Sequence, residues 1–280
     1  MRYTPIPGVT PSPVARSTIR DADVRRLYEK AKQLGTWDPA AIDFSQDAEQ
    51  WPQLNGDERD LLARVVSLFY SGEEAVTRDL LPIAYVVGNE RRLDDELFVT
   101  AWLFEEGKHT DFFRRFLDEV VGEAAAGTEH DPLERRLYDE ELAAATSRLF
   151  TDQTPGAQAR AITTYCLIVE SLLADTGQRV LREALEKRQV LPGLRAGLVL
   201  VNRDESRHVA YGLHFLQRLM RADARVAAVI RGTIEALAPL VIRLADNIML
   251  RYEQRPFDLS YALREPLERL QSQLVRLAPT

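Results

Sequence analysis

The sequence predicts an all-α protein with a four-helix bundle at its core and additional helices around the bundle. Apolar residues recur every three or four positions through nearly all of the 280 residues, which is the period of a helix with one buried face. No stretch shows the alternating pattern and regularly spaced turns that are typical of strands. Four of the helical stretches also carry glutamates within the apolar face, where a carboxylate is costly unless it is paired or binds a metal.

The N-terminal part predicts an extended arm followed by a short helix. Residues 1–20 are rich in proline and lack the apolar core of a signal peptide. A helix is expected over 21–34, ending at Gly35, before Trp37-Asp38-Pro39 turns the chain toward the bundle. We assign residues 1–280 to a single domain.

The remaining predicted helices are bounded by cap residues, prolines or glycines. Gly88-Asn89 ends the first of them, and the cap-then-proline pair Thr154-Pro155 begins the fourth. They span about 56–87, 94–122, 131–150, 154–189, 191 onward, 223–252 and 263–277.

One motif occurs twice and predicts a two-metal site. Glu106-Gly107-Lys108-His109 and Glu205-Ser206-Arg207-His208 each place a glutamate and a histidine three residues apart, on one face of a helix. A further glutamate in an apolar stripe, Glu73 or Glu170, lies one helix upstream of each motif. Four carboxylates and two imidazoles are the ligand set of di-iron and di-manganese bundles.

The same stripes separate these ligands from their neighbours. Glu74 and Glu105 lie about 100° around their helices from the stripe, so we interpret both as solvated or salt-bridged. The other two histidines, His130 and His214, do not fit the motif, and we interpret them as structural or surface residues.

The composition excludes several classes of protein. No apolar run approaches the roughly 18 residues of a membrane span. The net charge is −7, and no basic patch interleaved with aromatic residues occurs, so nucleic acid is not an expected partner. Cys166 is the single cysteine, which precludes an intrachain disulfide and is typical of the reducing cytoplasm.

Over roughly residues 35–250 the chain resembles the R2 proteins of the ferritin-like superfamily. The resemblance rests on Trp37-Asp38-Pro39, the segment Ser71–Thr77, the two Glu-x-x-His motifs, Glu170 and Asp204. It implies a ferritin-like fold with metal ligands Glu73, Glu106, His109, Glu170, Glu205 and His208. It also implies that Trp37 and Asp204 orient the first histidine through hydrogen bonds. A ligand histidine generally needs such a partner for the ring nitrogen that does not bind the metal. Without the resemblance, Trp37 is a core anchor and Asp204 an exposed residue.

Two features decide which R2 branch the chain resembles. Phe113 stands where standard class I R2 subunits carry a radical-forming tyrosine. The better resemblance is to the R2-like ligand-binding oxidases, in which a valine and a tyrosine at the positions of Val76 and Tyr165 are joined by an ether bond. On an ideal α-helix Tyr165 would lie about 140° from Glu170. Tyr165 therefore reaches the site only if the helix is locally unwound, for example by a π-bulge.

The resemblance implies an enzyme that uses O₂ and a manganese–iron (or di-iron) pair to oxidise a C–H bond. It further implies a bound long-chain fatty acid or similar hydrophobic ligand, and we expect a homodimer. Two alternatives remain open. One is a tyrosine-less R2 small subunit of a class I ribonucleotide reductase, and the other is an iron-storage protein that forms a multi-subunit shell.

Overall fold

The computed structural model describes residues 18–122, 131–249 and 251. Within these residues every regular element is helical, and the one β-type contact is an isolated bridge between Ile19 and Arg92. The all-α prediction is therefore confirmed. Most of the predicted arm, His130 and the predicted helix over 263–277 lie outside the described residues, so the domain bounds of 1–280 stay a prediction.

Eleven α-helices are described, numbered in chain order. They are Ala22–Leu34 (α1), Ser45–Gln50 (α2), Gly56–Asp79 (α3), Leu81–Asn89 (α4), Leu93–Phe116 (α5), Pro132–Arg135 (α6), Ala143–Ser147 (α7), Pro155–Ile162 (α8), Thr176–Arg188 (α9), Pro192–Ala222 (α10) and Val226–Met249 (α11). Three π-helical segments continue them, at Leu117–Val121, Arg136–Leu142 and Thr163–Asp175.

The prediction of a single helix over 56–87 is wrong, because the chain forms two helices there. A capping box between Asn55 and Glu58 begins α3 as the sequence suggested. However, α3 ends at Asp79, and α4 begins at Leu81 with Pro82 in its first turn. Proline has no amide hydrogen to donate to the preceding turn, so the continuous helix is interrupted at this point.

Four helical stretches form the bundle: α3, α5, the π segment Thr163–Asp175 and α10. Helix α3 packs along α5, and α10 packs along the π segment. Helix α1 covers α5 and α10, whereas α11 covers the π segment and α8. The four central stretches are those that carry the six proposed ligands, so the predicted bundle places all of the ligands in its interior.

The apolar core is divided into two clusters with the acidic residues between them. Along α3, Phe69 belongs to one cluster and Val76 to the other, and Glu73 lies between them in sequence. Along α5, Trp102 and Phe113 are divided in the same way. The polar side chains thus form a layer across the middle of the bundle, with packed hydrophobic residues on both sides.

Two local contacts fix the position of α10. Asp47 of α2 is fully buried and accepts hydrogen bonds from the backbone amides of Gly193 and Leu194, both at 2.8 Å, at the start of α10. Further along, a Cβ atom added at Gly212 would lie 2.5 Å from the Cβ of Cys166. The absence of a side chain at Gly212 therefore allows α10 to approach the π segment closely.

Among the described residues, no helix has the length and apolar character needed to cross a membrane.

Candidate metal centre

The structure brings all six predicted ligands together in two overlapping groups of four. The first group is Glu73, Glu106, His109 and Glu205, and the second is Glu106, Glu170, Glu205 and His208. Within each group, one potential ligand atom per residue lies within 4.8 Å of the others. Glu106 and Glu205 belong to both groups, so the arrangement is that of two adjacent metal positions that share two carboxylates.

Several inward-facing atoms of this cluster have no hydrogen-bond partner. They are His109 Nδ1, His208 Nδ1 and one carboxylate oxygen each of Glu106, Glu170 and Glu205. His109 Nδ1 is 3.3 Å from Glu205 Oε1, and His208 Nδ1 is 3.1 Å from Glu106 Oε1. Buried polar atoms are nearly always satisfied in folded proteins. Unpaired lone-pair donors that converge in this way therefore fit a pair of cations.

The charges of the cluster act on its own proton affinities. Burial raises the pKa of Glu73 and of Glu170 well above the usual value. Burial opposes ionisation of Glu106 as well, but the attraction of the two nearby histidine rings outweighs it and holds the pKa of Glu106 well below the usual value. At His109 and His208, burial by itself lowers the pKa, but hydrogen bonds with the carboxylates outweigh burial and raise it. Protons therefore neutralise the cluster when cations do not, and metal binding should release them.

Trp37 and Asp204, which the resemblance implied as partners of the first histidine, both lie beside His109. His109 Nε2 lies 3.4 Å from Asp204 Oδ2, and Asp204 is fully buried rather than exposed. Trp37 Nε1 donates to the same oxygen at 2.7 Å, and Lys108 Nζ donates to it at 3.1 Å. The Trp37 ring is also stacked near His109, with ring centroids 6.1 Å apart. Asp204 is therefore held so that it accepts the outer N–H of a histidine whose inner nitrogen faces the cluster.

Glu105 performs the matching role for the second histidine, and sequence reasoning missed this role. Its Oε2 lies 2.8 Å from His208 Nε2, and Arg207 Nη2 donates to its Oε1 at 2.6 Å. The prediction that Glu105 is salt-bridged was correct, but its contact with His208 was not foreseen. A signal exists in the sequence: both motifs read acid, Glu, any residue, cation, His, at 105–109 and 204–208. Glu74, by contrast, is exposed as predicted.

Trp102 and Gln178 donate hydrogen bonds to the ligand carboxylates, and the sequence did not indicate these contacts. Trp102 Nε1 donates to Glu106 Oε1 at 2.7 Å and lies 3.2 Å from Glu170 Oε1, and its ring stacks on His208. Gln178 donates to Glu73 Oε1 at 3.2 Å. Both side chains satisfy outward-facing carboxylate oxygens and so fix the orientation of the acidic groups.

Tyr165 lies in a π-helical segment, beside Trp102 and Val76. The segment Thr163–Asp175 contains both Tyr165 and Glu170. In a π-helix the hydrogen bonds join residues five apart, so these two side chains lie on nearly the same face. Tyr165 Oη donates to the backbone oxygen of Val76 at 2.8 Å, and both residues are buried. Burial raises the pKa of the Tyr165 hydroxyl well above its usual value.

The remaining predicted positions are also accounted for. Phe113 is fully buried and packs against Phe69, with ring centroids 5.5 Å apart. His214 lies away from the cluster and is 2.7 Å from Asp21 Oδ2, which agrees with its interpretation as a structural residue. Cys166 is a buried free thiol against α10.

Comparisons with known proteins agree on one family. The model of the ribonucleotide reductase small chain matches residues 15–254. A valine-to-leucine variant of an R2-like ligand-binding oxidase with anaerobically reconstituted Mn/Fe cofactor is 33% identical, over 92% of this chain and 94% of the other, with a TM-score of 0.87. A tyrosine-to-phenylalanine variant with aerobically reconstituted Mn/Fe cofactor gives the same values. A glycine-to-phenylalanine variant, anaerobically reconstituted with Mn/Fe, is 34% identical at the same coverage, with a TM-score of 0.85.

The contact between Glu105 and His208 predicts an effect on metal binding. The substitution Glu105→Ala removes the acceptor that orients His208 and should weaken metal binding by about 10- to 100-fold, as is typical for such partners. Calorimetric titration of the metal-depleted protein with Mn²⁺ measures the affinity. Glu74→Ala is the matched control, because Glu74 is an exposed glutamate beside a ligand. Equal affinities for the two variants would contradict the role of Glu105.

Proposed function

The chain belongs to the ribonucleotide reductase small-chain family and, within it, to the R2-like ligand-binding oxidases, and on that premise we propose that it is an O₂-dependent oxidase with a manganese–iron pair. Its reaction is the oxidation of a C–H bond in a bound hydrophobic ligand. The observation that carries the proposal is the buried cluster of four glutamates and two histidines, whose unpaired atoms face one another.

The six side chains divide between two positions. Glu73 and His109 serve one position, Glu170 and His208 serve the other, and Glu106 and Glu205 are shared. Carboxylate oxygens suit manganese and imidazole suits iron. When bound, the metal pair supplies the activation of O₂ and the oxidising power for C–H cleavage. The chain itself excludes bulk water, because every ligand is at most 4% exposed.

Val76 and Tyr165 are the proposed partners of an ether cross-link. Tyr165 Oη is already in contact with the backbone of Val76, and both side chains lie in the same apolar cluster. Forming the C–O bond removes the phenolic hydrogen and one C–H hydrogen of Val76. The two electrons and two protons would pass to O₂, which the metal pair, when bound, would activate. Val76 is one helical turn from Glu73 and lines the same small cavity as four of the proposed ligands, which supports this assignment.

The proposed ligand is a long-chain fatty acid or a similar amphipathic molecule. Two divalent cations with four carboxylates and two neutral imidazoles are close to charge balance, so the cluster tolerates one further carboxylate at an exchangeable position. The alkyl tail would lie between the helices, where each buried methylene contributes about 0.8 kcal/mol. We further expect a homodimer in the cytoplasm.

The second candidate is a tyrosine-less small subunit of a class I ribonucleotide reductase. Phe113 in place of the radical-forming tyrosine suits this function equally well, and the matching family model is that of the small chain. The contact between Tyr165 and Val76 favours the oxidase, because a cross-link between these residues is a property of that branch.

The ligand assignment predicts metal content. The wild-type chain should hold two metal ions, and the double variant Glu106→Ala/His208→Ala should lose at least one of them. The reason is that Glu106 belongs to both groups of four, and the second group loses His208 as well. Elemental analysis of the purified proteins measures the number per chain. His214→Ala is the control, since His214 lies outside the cluster. Two metal ions per chain in the double variant would refute the assignment.

The cross-link predicts a change in mass. Aerobic loading with manganese and iron should make the intact chain lighter by two hydrogens, and Tyr165→Phe should prevent the change because it removes the reacting oxygen. Intact-protein mass spectrometry, with peptide mapping of residues 76 and 165, measures both. An unchanged mass after complete oxidation of the metals would favour the reductase subunit instead.

The ligand proposal predicts a co-purifying lipid. Organic extraction of the purified protein, followed by mass spectrometry, should yield a long-chain acyl species near one per chain, since burial of a dozen or more methylenes gives a complex that survives purification. An extract without any acyl species would remove this part of the proposal and would leave the metal site standing.

A further inference from the structure

A small cavity adjoins the candidate metal centre. Besides four of the proposed ligands, its walls are Phe69, Gly72, Val76, Tyr138, Val169 and Ala174. Its volume is about 10 Å³, which is the space of one water molecule, whereas pockets for organic ligands hold about 300 Å³ or more. A hydrocarbon chain can therefore reach the metals through this cavity only if one of its walls moves.

The Tyr138 side chain occupies the space that the side chain of residue 72 would fill if that residue were not a glycine. Its hydroxyl oxygen lies 2.6 Å from the point that a Cβ atom of Gly72 would occupy. The ring thus fills the space above the glycine, on the face of α3 that leads to Glu73 and Val76. Tyr138 is 6% exposed and Ala174 is half-buried, so the cavity approaches the protein surface on this side.

The Tyr138 hydroxyl has no hydrogen-bond partner that would hold the ring in place. Among the described residues, no group forms a hydrogen bond with this hydroxyl. Turning the ring toward solvent would therefore break no hydrogen bond and would hydrate the hydroxyl.

A side-chain hydrogen bond ties the helix before Tyr138 to α3. One turn before Tyr138, Glu134 accepts a hydrogen bond at 2.7 Å from Ser71, the residue that precedes Gly72. Tyr138 itself lies in the π segment Arg136–Leu142, a type of helix that is frequent at functional sites. The contact between Glu134 and Ser71 therefore holds this helix beside Gly72, whereas no hydrogen bond from the described residues holds the Tyr138 ring.

We propose that Tyr138 is the specificity-determining gate of the ligand site and admits unbranched chains in preference to branched ones. The ring moves aside and leaves a slot against the bare backbone of Gly72. A narrow slot against this backbone takes an unbranched alkyl chain more readily than a chain widened by methyl branches. This inference rests on the proposed binding of a long-chain fatty acid.

Competition between two fatty acids tests the proposal. The full-length, metal-loaded protein is freed of lipid and incubated with equal amounts of a linear and a methyl-branched fatty acid of the same chain length, and the bound acids are extracted and quantified. The wild type should bind the linear acid preferentially. Tyr138→Ala should lower the linear-to-branched ratio by about tenfold or more, which is typical of discrimination against an added methyl group by a wall.

Three further variants isolate the contribution of the ring. Tyr138→Phe keeps the ring and should keep the wild-type ratio. Tyr138→Leu retains an apolar side chain if the alanine variant does not fold, and it should also lower the ratio. Tyr85→Ala is the control, because Tyr85 packs against Phe150 and is not a wall of the cavity.

The outcomes separate the gate from the ligand proposal. A lower ratio in the alanine and leucine variants, with no change in the other two, supports the gate. An unchanged ratio in all variants overturns the gate and leaves fatty-acid binding intact. If neither the wild type nor any variant binds either acid, the proposed ligand and the gate that depends on it both fail.

Discussion

Neutralisation of buried charge determines how the middle of this bundle is built. Four ligand carboxylates, together with Glu105 and Asp204, place six acidic groups in an interior where an unpaired charge is very unfavourable. Lys108 and Arg207 supply two positive charges at ion-pair distance from the outer two acids. Two divalent cations would supply the other four. The helix positions and the two apolar clusters hold this set of charges together and away from water.

Sequence patterns predicted the ligands because the relevant geometry is local. A spacing of three residues places Glu106 and His109 on one face of α5 whatever the rest of the chain does. The same reasoning located Glu73 and Glu170 from the phase of their apolar stripes. The phase of Glu105, in contrast, showed only that it points away from the stripe. Its contact with His208 depends on how α5 and α10 pack, and helix periodicity contains no information about that.

The other differences also arise from features that an ideal helix lacks. The apolar pattern predicts one continuous helix across Pro82, because the pattern depends only on which residues are apolar. Pro82 interrupts the helix because it has no amide hydrogen. At Tyr165 the sequence reasoning required a π-bulge to bring the side chain toward the face of Glu170, and the chain contains a π segment there. Tyr138 was not singled out at all, since its position over Gly72 joins residues far apart in the chain. Long-range packing decides such contacts, and one sequence does not reveal it.

The two halves of the centre have the same ligand types but unequal surroundings. Asp204 shares its charge among Trp37, Lys108, Arg207 and His109, and it lies 3.4 Å from the histidine. Glu105 is bound by Arg207 and His208 alone among the described residues, and it lies 2.8 Å from its histidine. A closer carboxylate makes an imidazole more basic and a stronger electron donor. The internal symmetry of the repeated motif is therefore broken one layer outside the ligands, and this asymmetry gives the two metal positions different electronic character.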